Sequence, residues 1–519
     1  MDISFFIRQC FGDAARFSPQ NAAIAFDDGD FLSYENLAKR ANRYANALHE
    51  LDVQPGDRVG ILLYNCTEYW IAYFAITRIG AIAVRLNFRL AAEELEYAID
   101  DSGATVLLAN TDILHRIAHC CAALPVRNFI AFGDEVPSPD WAMPWSYLES
   151  GMDRELPLPL PCPETPAMLM YTSGTTGRPK GALWSHGTTT WWTAMQVMEW
   201  GLTPRTVTMV TGPMYHIGAL ENYALPTLAV GGRVVVLRSR NFDIRQTLQI
   251  ASRQQVTDIL LFPSMIYQML QATEIDNIDL SRIRRVFSGG DPLLPSAIEQ
   301  MRERFGWMDI VQVYGLTEGT PIVACSGPGQ GYDAPSTVGR AFPFAELSIR
   351  DDDGMPVPAG QAGEIWTSSP ANALGYWRKP EATATTFVDG WCRTGDLGSI
   401  ENGALRIVGR KKDMIRSGGE NINPSEIENL LLKHPRIVEA AVVGIPDARF
   451  TEVVCAVVVL AQGHCLSEQD VIDHCVAGLA KYKKPRKVVF VDELPRTASQ
   501  KIIKHELRRR FSSEASPSA

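Results

Sequence analysis

Short apolar runs alternate with helical patterns along the first four-fifths of the chain, and this alternation limits the fold more than any other feature. Residues 59–63 form an apolar run after a Pro-Gly-Asp turn, and residues 105–108 form a β-branched run after a helical stretch. Alternation at this spacing favours βαβ units and parallel strands. Continuous apolar strands such as residues 234–237 suit a sheet that is covered on both faces. The pattern therefore predicts an α/β fold.

Two segments interrupt this pattern and indicate domain organisation. Residues 155–166 contain five prolines in twelve positions, and residues 409–413 read Gly-Arg-Lys-Lys-Asp. Beyond the second segment, Asn423 can cap a helix, Pro424 fits its first position, and Glu426 can complete a capping box. The following residues have the pattern of a small α+β module. We predict an N-terminal domain at residues 1–411 and a C-terminal domain at residues 412–519.

Composition excludes several classes of protein. Hydrophobic residues make up 46% of the chain and charged residues 21%, which is typical of a globular protein. The chain has 49 Lys and Arg against 59 Asp and Glu, a net charge of −10, which argues against a nucleic-acid partner. The most apolar stretch, residues 69–84, is interrupted by Arg78 and is too short to span a membrane. The N-terminus does not resemble a signal peptide, so we expect a cytoplasmic protein.

The cysteines and histidines give no sign of a metal-binding motif. Ten cysteines are scattered without a Cys-x-x-Cys pair, so we predict neither a disulfide framework nor a structural zinc site. His115 and His119 lie four positions apart beside Cys120. Because the sequence offers no evident third ligand, we interpret both histidines as surface or packing residues.

The most specific motif is Tyr-Thr-Ser-Gly-Thr-Thr-Gly-Arg-Pro-Lys at residues 171–180, directly after an apolar strand. Its glycines let the backbone turn tightly and approach a ligand, while its hydroxyls and N–H groups can surround phosphate oxygens. The spacing differs from that of the P-loop NTPases. The alternative is a flexible polar connection, but the pattern favours a phosphate-binding loop. Its members are Thr172, Ser173, Gly174, Thr175, Thr176, Gly177 and Lys180.

This motif resembles the signature of the adenylate-forming superfamily, which includes acyl-CoA synthetases, luciferases and peptide-synthetase adenylation domains. Further matching motifs follow in the family's order at residues 314–318, 363–365, 375–377, 393–396, 409–413 and 495–501. The resemblance implies a large N-terminal domain of doubly wound sheets with a β-barrel-like subdomain. It also implies a small, mobile α+β C-terminal domain.

The resemblance implies a two-step reaction that uses ATP, Mg²⁺ and coenzyme A. A carboxylic acid is first activated as acyl-AMP with release of pyrophosphate, and the acyl group then passes to the thiol of coenzyme A. Thr317 is expected to contact the α-phosphate, Glu318 to hold Mg²⁺, and Tyr314 to pack on adenine. The other expected nucleotide ligands are Gly289, Gly290, Asp291 and Gly315, with Asp396 and Arg410 at the ribose.

The same resemblance assigns roles at the acyl site and in the C-terminal domain. His216 is expected to act as a gate beside the carboxylate, with Gly218 and Gly315 lining the acyl pocket. Lys501 is expected to bridge carboxylate and α-phosphate, although Gln500 stands before it where many relatives carry glycine. Lys412 is the expected hinge between the arrangements for the two steps. The predicted catalytic set is Lys501, Thr317, Glu318, His216 and Lys180, and the predicted coenzyme A path is Ser417, Gly418, Gly419 and Glu420.

A local basic excess lies near the C-terminus, where residues 481–510 carry eleven Lys and Arg against three Asp and Glu. This excess fits either a solvated face or attraction for the phosphates of coenzyme A.

The substrate is less constrained than the reaction. Residues 216–220 contain no acidic anchor for an amine, which argues against an amino acid, and Gly315 leaves room for a longer acyl group. We predict a medium- or long-chain fatty acid as the substrate. The alternatives are an aryl or other bulky carboxylate, a carrier protein as acceptor, a luciferase-like monooxygenase and a homologue without turnover. The expected partner is a small carboxylic acid, and a homodimer is left open.

Overall fold

The computed structural model describes residues 22–27, 29–172, 178–239, 242–418, 420–447, 449–496 and 502–512. The chain divides into two units. The first comprises Met1–Leu347 and Trp366–Thr394, and the second comprises Ser348–Ile365 and Gly395–Ala519. The domain boundary after residue 411 stays a prediction.

An eight-stranded sheet of the first unit contains the βαβ units expected from the alternating pattern. Its five central strands run parallel, and the strand after residue 180 joins the sheet antiparallel. In sheet order the strands are Gly375–Tyr376, Lys180–Ser185, Pro166–Thr172, Ile82–Arg85, Arg58–Leu62, Val106–Asn110, Asn128–Phe132 and Met143–Pro144.

A nine-stranded sheet of the same unit is parallel in its centre and antiparallel at both edges. Apolar strands such as Arg233–Val236 lie inside it, as their composition suggested. In sheet order the strands are Arg340–Ala341, Ala324–Cys325, Asp309–Tyr314, Arg285–Gly289, Asp258–Leu260, Val207–Val210, Arg233–Val236, Ala22–Phe26 and Phe31–Ser33.

Helices connect the strands of the first unit. Helix Thr67–Ile79 is buried from Tyr69 onward, so most of the apolar stretch at residues 69–84 forms a core helix. No helix among the described residues has both the length and the apolar character needed to cross a membrane. The α-helices are Tyr34–Glu50, Thr67–Ile79, Ala92–Ser102, Thr111–Ile117, Ser146–Glu149, His186–Trp200, Leu225–Ala229, Ile244–Arg253, Pro263–Gln271, Pro295–Phe305, Gln330–Asp333 and Pro380–Thr386.

Five further strands form a third, smaller sheet. They are Glu346–Arg350, Gly363–Ser368, Phe387–Val388, Trp391–Glu401 and Ala404–Arg410.

The second unit contains the small α+β module predicted after residue 413. Its sheet consists of Ile415–Ser417, Glu420–Ile422, Ile437–Asp447, Thr451–Leu460 and Lys487–Phe490, and its α-helices are Pro424–Leu431, Glu468–Gly478 and Lys504–Ser512.

The start of the first of these helices was predicted in part. Asn423 caps it as expected, because its side chain accepts a hydrogen bond from the Ser425 N–H at 3.1 Å. The Glu426 carboxylate instead pairs with Lys483, so the predicted capping box is not completed.

Candidate functional site

The predicted phosphate loop closes an antiparallel hairpin. Strands Pro166–Thr172 and Lys180–Ser185 pair so that Thr172 lies opposite Lys180. The two ends of the loop are therefore held side by side. Lys180 makes no ion pair among the described residues, which leaves its charge for a ligand. The loop residues Ser173, Gly174, Thr175, Thr176 and Gly177 lie outside the described residues.

Glu318, the predicted magnesium ligand, is brought to this hairpin. The Thr172 hydroxyl donates to Glu318 Oε1 at 2.7 Å, and the Tyr376 hydroxyl donates to the same oxygen at 3.1 Å. Lys180 Nζ lies 5.1 Å from the centroid of the Tyr376 ring. The other carboxylate oxygen, Oε2, has no hydrogen bond within the described part of the chain. It is therefore available to a cation, and hard cations such as Mg²⁺ prefer carboxylate oxygen.

Tyr376 is a site residue that sequence reasoning missed. Its motif was noted, but no role was given to the phenol. Strand Gly375–Tyr376 pairs with the strand that begins at Lys180, which delivers the ring to the site. Burial and the neighbouring Glu318 carboxylate raise the pKa of Tyr376. The phenol therefore stays neutral at physiological pH and acts as a hydrogen-bond donor.

Two other predicted nucleotide segments meet at the carboxyl ends of neighbouring parallel strands. Strand Arg285–Gly289 ends beside strand Asp309–Tyr314, with Gly289 opposite Val313. The segment that carries Gly290 and Asp291 therefore starts beside Tyr314. Such strand ends are where ligands bind in doubly wound sheets. An added Cβ at Gly289 would overlap the Val313 backbone, so only glycine permits this approach.

The segment after Tyr314 is fixed by backbone contacts. The Trp184 indole N–H donates to Thr317 O at 3.0 Å. A Cβ at Gly315 would overlap the backbone oxygens of Thr320 and Pro321. Gly315 thus lacks a side chain because its own loop folds back on it. This reason is independent of the acyl group, so Gly315 gives no measure of the substrate's length.

Residues 213–218, which contain His216 and are called the gate segment, are held by a side chain that the sequence did not predict for this role. Arg85 donates to the carbonyl oxygens of Met214 and His216, the latter at 3.1 Å, and pairs with Glu221. The side chains of Arg85 and Glu221 are both fully buried. Glu221 directly follows residues 216–220, which contain no acidic anchor for an amine. Because Arg85 neutralises it, Glu221 is not a substitute for that anchor.

His216 itself lies half-buried in a tight turn. Its Nδ1 accepts a hydrogen bond from the Gly218 N–H at 3.1 Å. A Cβ at Gly218 would lie 3.0 Å from that nitrogen, so a side chain there would press on the imidazole. Gly218 therefore permits the observed position of His216.

Helix Ala92–Ser102 makes hydrogen bonds to both sides of the phosphate hairpin. The Tyr171 hydroxyl donates to Asp101 Oδ2 at 2.8 Å, and Lys379 Nζ donates to Asp101 Oδ1 at 2.7 Å. The Tyr97 hydroxyl donates to Pro179 O at 3.2 Å. These contacts hold the strand before the loop and the residue that precedes Lys180. The sequence pattern predicted a helix at residues 92–99 but gave no sign of this role.

In the second unit, the predicted ribose ligands are neighbours. Asp396 and Arg410 lie directly opposite each other on strands Trp391–Glu401 and Ala404–Arg410. Arg410 Nε is 3.1 Å from Asp396 Oδ1, and Asp396 is largely buried. The guanidinium orients the carboxylate and balances its charge. The two residues, fourteen positions apart in sequence, are thus brought to one place.

The predicted coenzyme A path is the tip of a β-hairpin. Ser417 and Glu420 pair across it, and the Gly418 N–H donates to Phe450 O at 2.9 Å. Gly418 has a positive φ of 60°, which favours glycine. Gly419 and Lys501 lie outside the described residues. Lys412, the predicted hinge, is exposed in a short 3₁₀ turn.

The basic stretch near the C-terminus is partly used inside the second unit. Lys483, Arg496, Lys504 and Arg508 pair with the carboxylates of Glu426, Glu439, Glu428 and Asp413 respectively. These four cations have a structural role, and the local excess that could attract phosphates is correspondingly smaller.

The chain matches the family described as AMP-binding enzyme over residues 11–377. It matches the AMP-binding enzyme C-terminal domain over residues 426–501. The chain therefore belongs to this family of adenylate-forming enzymes, as its motifs predicted.

Several characterised proteins align over nearly the whole chain. A feruloyl-CoA synthase of Amycolatopsis sp is 36% identical over 96% of this chain and 97% of its own. An indoleacetate–CoA ligase of Aromatoleum aromaticum is 37% identical over 95% and 96%. A long-chain-fatty-acid–CoA ligase of Mycobacterium tuberculosis is 31% identical over 98% and 99%. The crystal structure of ATP-bound MatB from Rhodopseudomonas palustris is 31% identical, with a TM-score of 0.90 over 99% of this chain and 100% of that one.

These similarities confirm the predicted fold and enzyme class. The fold is mixed α/β, with a large N-terminal and a small C-terminal domain. The chain is an ATP-dependent, AMP-forming acid–CoA ligase.

Proposed function

We propose that this ligase activates an aromatic carboxylic acid, of the hydroxycinnamic or arylacetic type, and transfers its acyl group to coenzyme A. The observation that carries the proposal is the pair of relatives named for feruloyl and indoleacetate, at 36% and 37% identity. The fatty-acid ligase reported above is 31% identical. The aryl alternative considered from the sequence is therefore preferred over the fatty acid.

In the first step, the hairpin and Glu318 would act on the triphosphate. Mg²⁺ bound at the free Glu318 oxygen would neutralise phosphate charge. Thr172 and Tyr376 orient that carboxylate by donating to its other oxygen. Lys180, held beside the Tyr376 ring, would attract phosphate oxygens. Fixed charges of this kind stabilise the charge that develops on the phosphoryl group.

The remaining site residues keep the roles implied by the resemblance. Asp396, oriented by Arg410, would accept the ribose hydroxyls, and His216 would gate the carboxylate. Lys501 would assist adenylation and then withdraw as the chain turns at Lys412. Coenzyme A would enter along the hairpin of Ser417 and Glu420. Two reactions could then use one site in succession.

A substrate panel tests the aromatic assignment. Pyrophosphate release would be measured with hydroxycinnamic acids, arylacetic acids and medium- and long-chain fatty acids, each with and without coenzyme A. We expect kcat/KM for the best aromatic acid to exceed that for every fatty acid by at least about tenfold, the lower end of what an apolar pocket discriminates. A higher kcat/KM for a fatty acid would reverse the proposal. Reactions without acid serve as the control.

A further inference from the structure

A group of metal-binding side chains lies outside the predicted active site. Glu96, His119 and Cys120 each offer one ligand atom, and these atoms all lie within 4.8 Å of one another. Glu96 comes from helix Ala92–Ser102, whereas His119 and Cys120 follow helix Thr111–Ile117. The third ligand that the sequence did not reveal is thus supplied by another helix.

The backbone fixes the two consecutive ligands. The Cys120 N–H donates to Ile117 O at 3.1 Å, and the Ala123 N–H donates to Cys120 O at 2.9 Å. These bonds form a turn at the end of the helix. His119 is exposed in this turn and Cys120 is buried, so the cluster has one face open to solvent.

The neighbouring residues do not occupy the ligand atoms of Glu96 and His119. Within the described part of the chain, neither side chain makes a hydrogen bond or an ion pair. His115, in contrast, places Nε2 2.9 Å from Pro137 O. The earlier interpretation as a packing residue therefore suits His115 but does not account for His119.

The Cys120 thiol donates a hydrogen bond to Ile117 O at 3.2 Å. A dication bound at the cluster would take the place of the thiol proton, because a metal deprotonates a coordinating thiol. Binding would then release the Cys120 proton to water while a sulfur–metal bond forms.

We propose that Glu96, His119 and Cys120 form a binding site for a zinc-class divalent cation. Sulfur and imidazole ligands select zinc over magnesium or calcium, which prefer oxygen alone. Three protein ligands leave a fourth tetrahedral position for water at the exposed face. The site is separate from the Glu318 carboxylate proposed for Mg²⁺. The proposal of this site does not depend on which acid is the substrate.

Cobalt is the probe for this site. The full chain, freed of metal and kept reduced, would be titrated with Co²⁺ without nucleotide, and the thiolate-to-cobalt absorption would be followed. We expect one equivalent to bind with this absorption and Zn²⁺ to displace it. Cys120→Ser should abolish the band. His119→Gln and Glu96→Gln should weaken binding at least about tenfold, because even indirect partners of a metal typically contribute about 10–100-fold.

The chain offers matched controls one and four residues away. Cys121→Ser and His115→Gln remove the same chemical groups outside the cluster and should leave the band and affinity unchanged. A band that survives in Cys120→Ser, or that Cys121→Ser removes equally, would overturn the proposal. Thermal unfolding shows whether each variant is folded, and Zn²⁺ should raise the Tm of the native chain by more than that of Glu96→Gln. Equal Tm shifts in both proteins would also contradict the site.

Discussion

The gate segment and the phosphate hairpin both belong to the first unit, but different kinds of contact hold them in place. The carbonyl oxygens of Met214 and His216 accept from Arg85, whose charge is balanced by Glu221 in a fully buried pair. The hairpin is held by Asp101, which shares its carboxylate between Tyr171 and Lys379. The side chain of Asp101 is 10% exposed and that of Lys379 is 37% exposed, so this pair reaches solvent.

Because the two contacts differ in burial, we expect their loss to change different properties of the protein. Removing one member of a buried ion pair leaves an uncompensated charge in the interior, and the whole fold bears that cost. Water can solvate Lys379 when it loses its partner Asp101, so the cost there stays local. We therefore expect loss of the gate contacts to lower the free energy of unfolding, and loss of the hairpin contacts to weaken nucleotide binding.

The largest effect is expected from Arg85→Met. This change leaves Glu221 buried and unpaired, and it should lower the free energy of unfolding by about 3–5 kcal/mol. Urea titration measures this loss. The double variant Arg85→Met with Glu221→Leu should recover most of it, because apolar residues can replace a buried pair. A single variant within about 1 kcal/mol of the native protein would refute the predicted importance of this pair.

The next effect is expected at the hairpin from Glu318→Gln. The amide keeps the shape of the side chain but loses the charge that would hold Mg²⁺. We expect the magnesium concentration for half-maximal activity to rise by about 10–100-fold or more, with little change in stability. A magnesium titration of pyrophosphate release measures this shift. An unaltered titration would exclude the metal-binding role.

A smaller effect is expected from Asp101→Asn. Hydrogen bonds to a charged group contribute about 1.5–3 kcal/mol, and part of this should be lost when the charge is removed. Because the contact holds the strand before the loop, we expect the KM for ATP to rise by about tenfold, while the urea midpoint moves little. The opposite pattern, lower stability with an unchanged KM, would remove the distinction between the two regions.

The smallest effect is expected from Tyr97→Phe. This change removes one neutral hydrogen bond to Pro179 O, which contributes about 0.5–1.5 kcal/mol. The KM for ATP should rise less than about fivefold, in a steady-state assay beside Asp101→Asn. If Tyr97→Phe had the larger effect of the two, the charged contact would not be the main support of the hairpin.

The sequence predicted the fold well because its signals are local. Alternation of apolar runs and helical patterns specified the parallel strands, and Asn423 marked the start of a helix. The side chain of Glu426 was assigned wrongly to a capping box, since Lys483, 57 positions away, competes for it. Local rules describe a side chain correctly only where no distant partner is available.

The candidate site was predictable where one motif carries both residue and role. Thr172, Lys180 and Glu318 were chosen from contiguous motifs, and the structure brings them together. Arg85 and Tyr376 were not assigned, because their partners lie far away in sequence and only the folded sheets unite them. Gly315 shows a further limit, since a missing side chain can serve the backbone instead of the ligand.

The most direct test of the proposed mechanism separates its two half-reactions in Lys501→Ala. Acid-dependent exchange of pyrophosphate into ATP, without coenzyme A, reports adenylation, and attack of coenzyme A on supplied acyl-AMP reports the second step. We predict that Lys501→Ala lowers exchange by about 10²–10³-fold, the usual cost of one lost charge-stabilising donor, while the second step survives. Equal loss in both half-reactions would contradict the account.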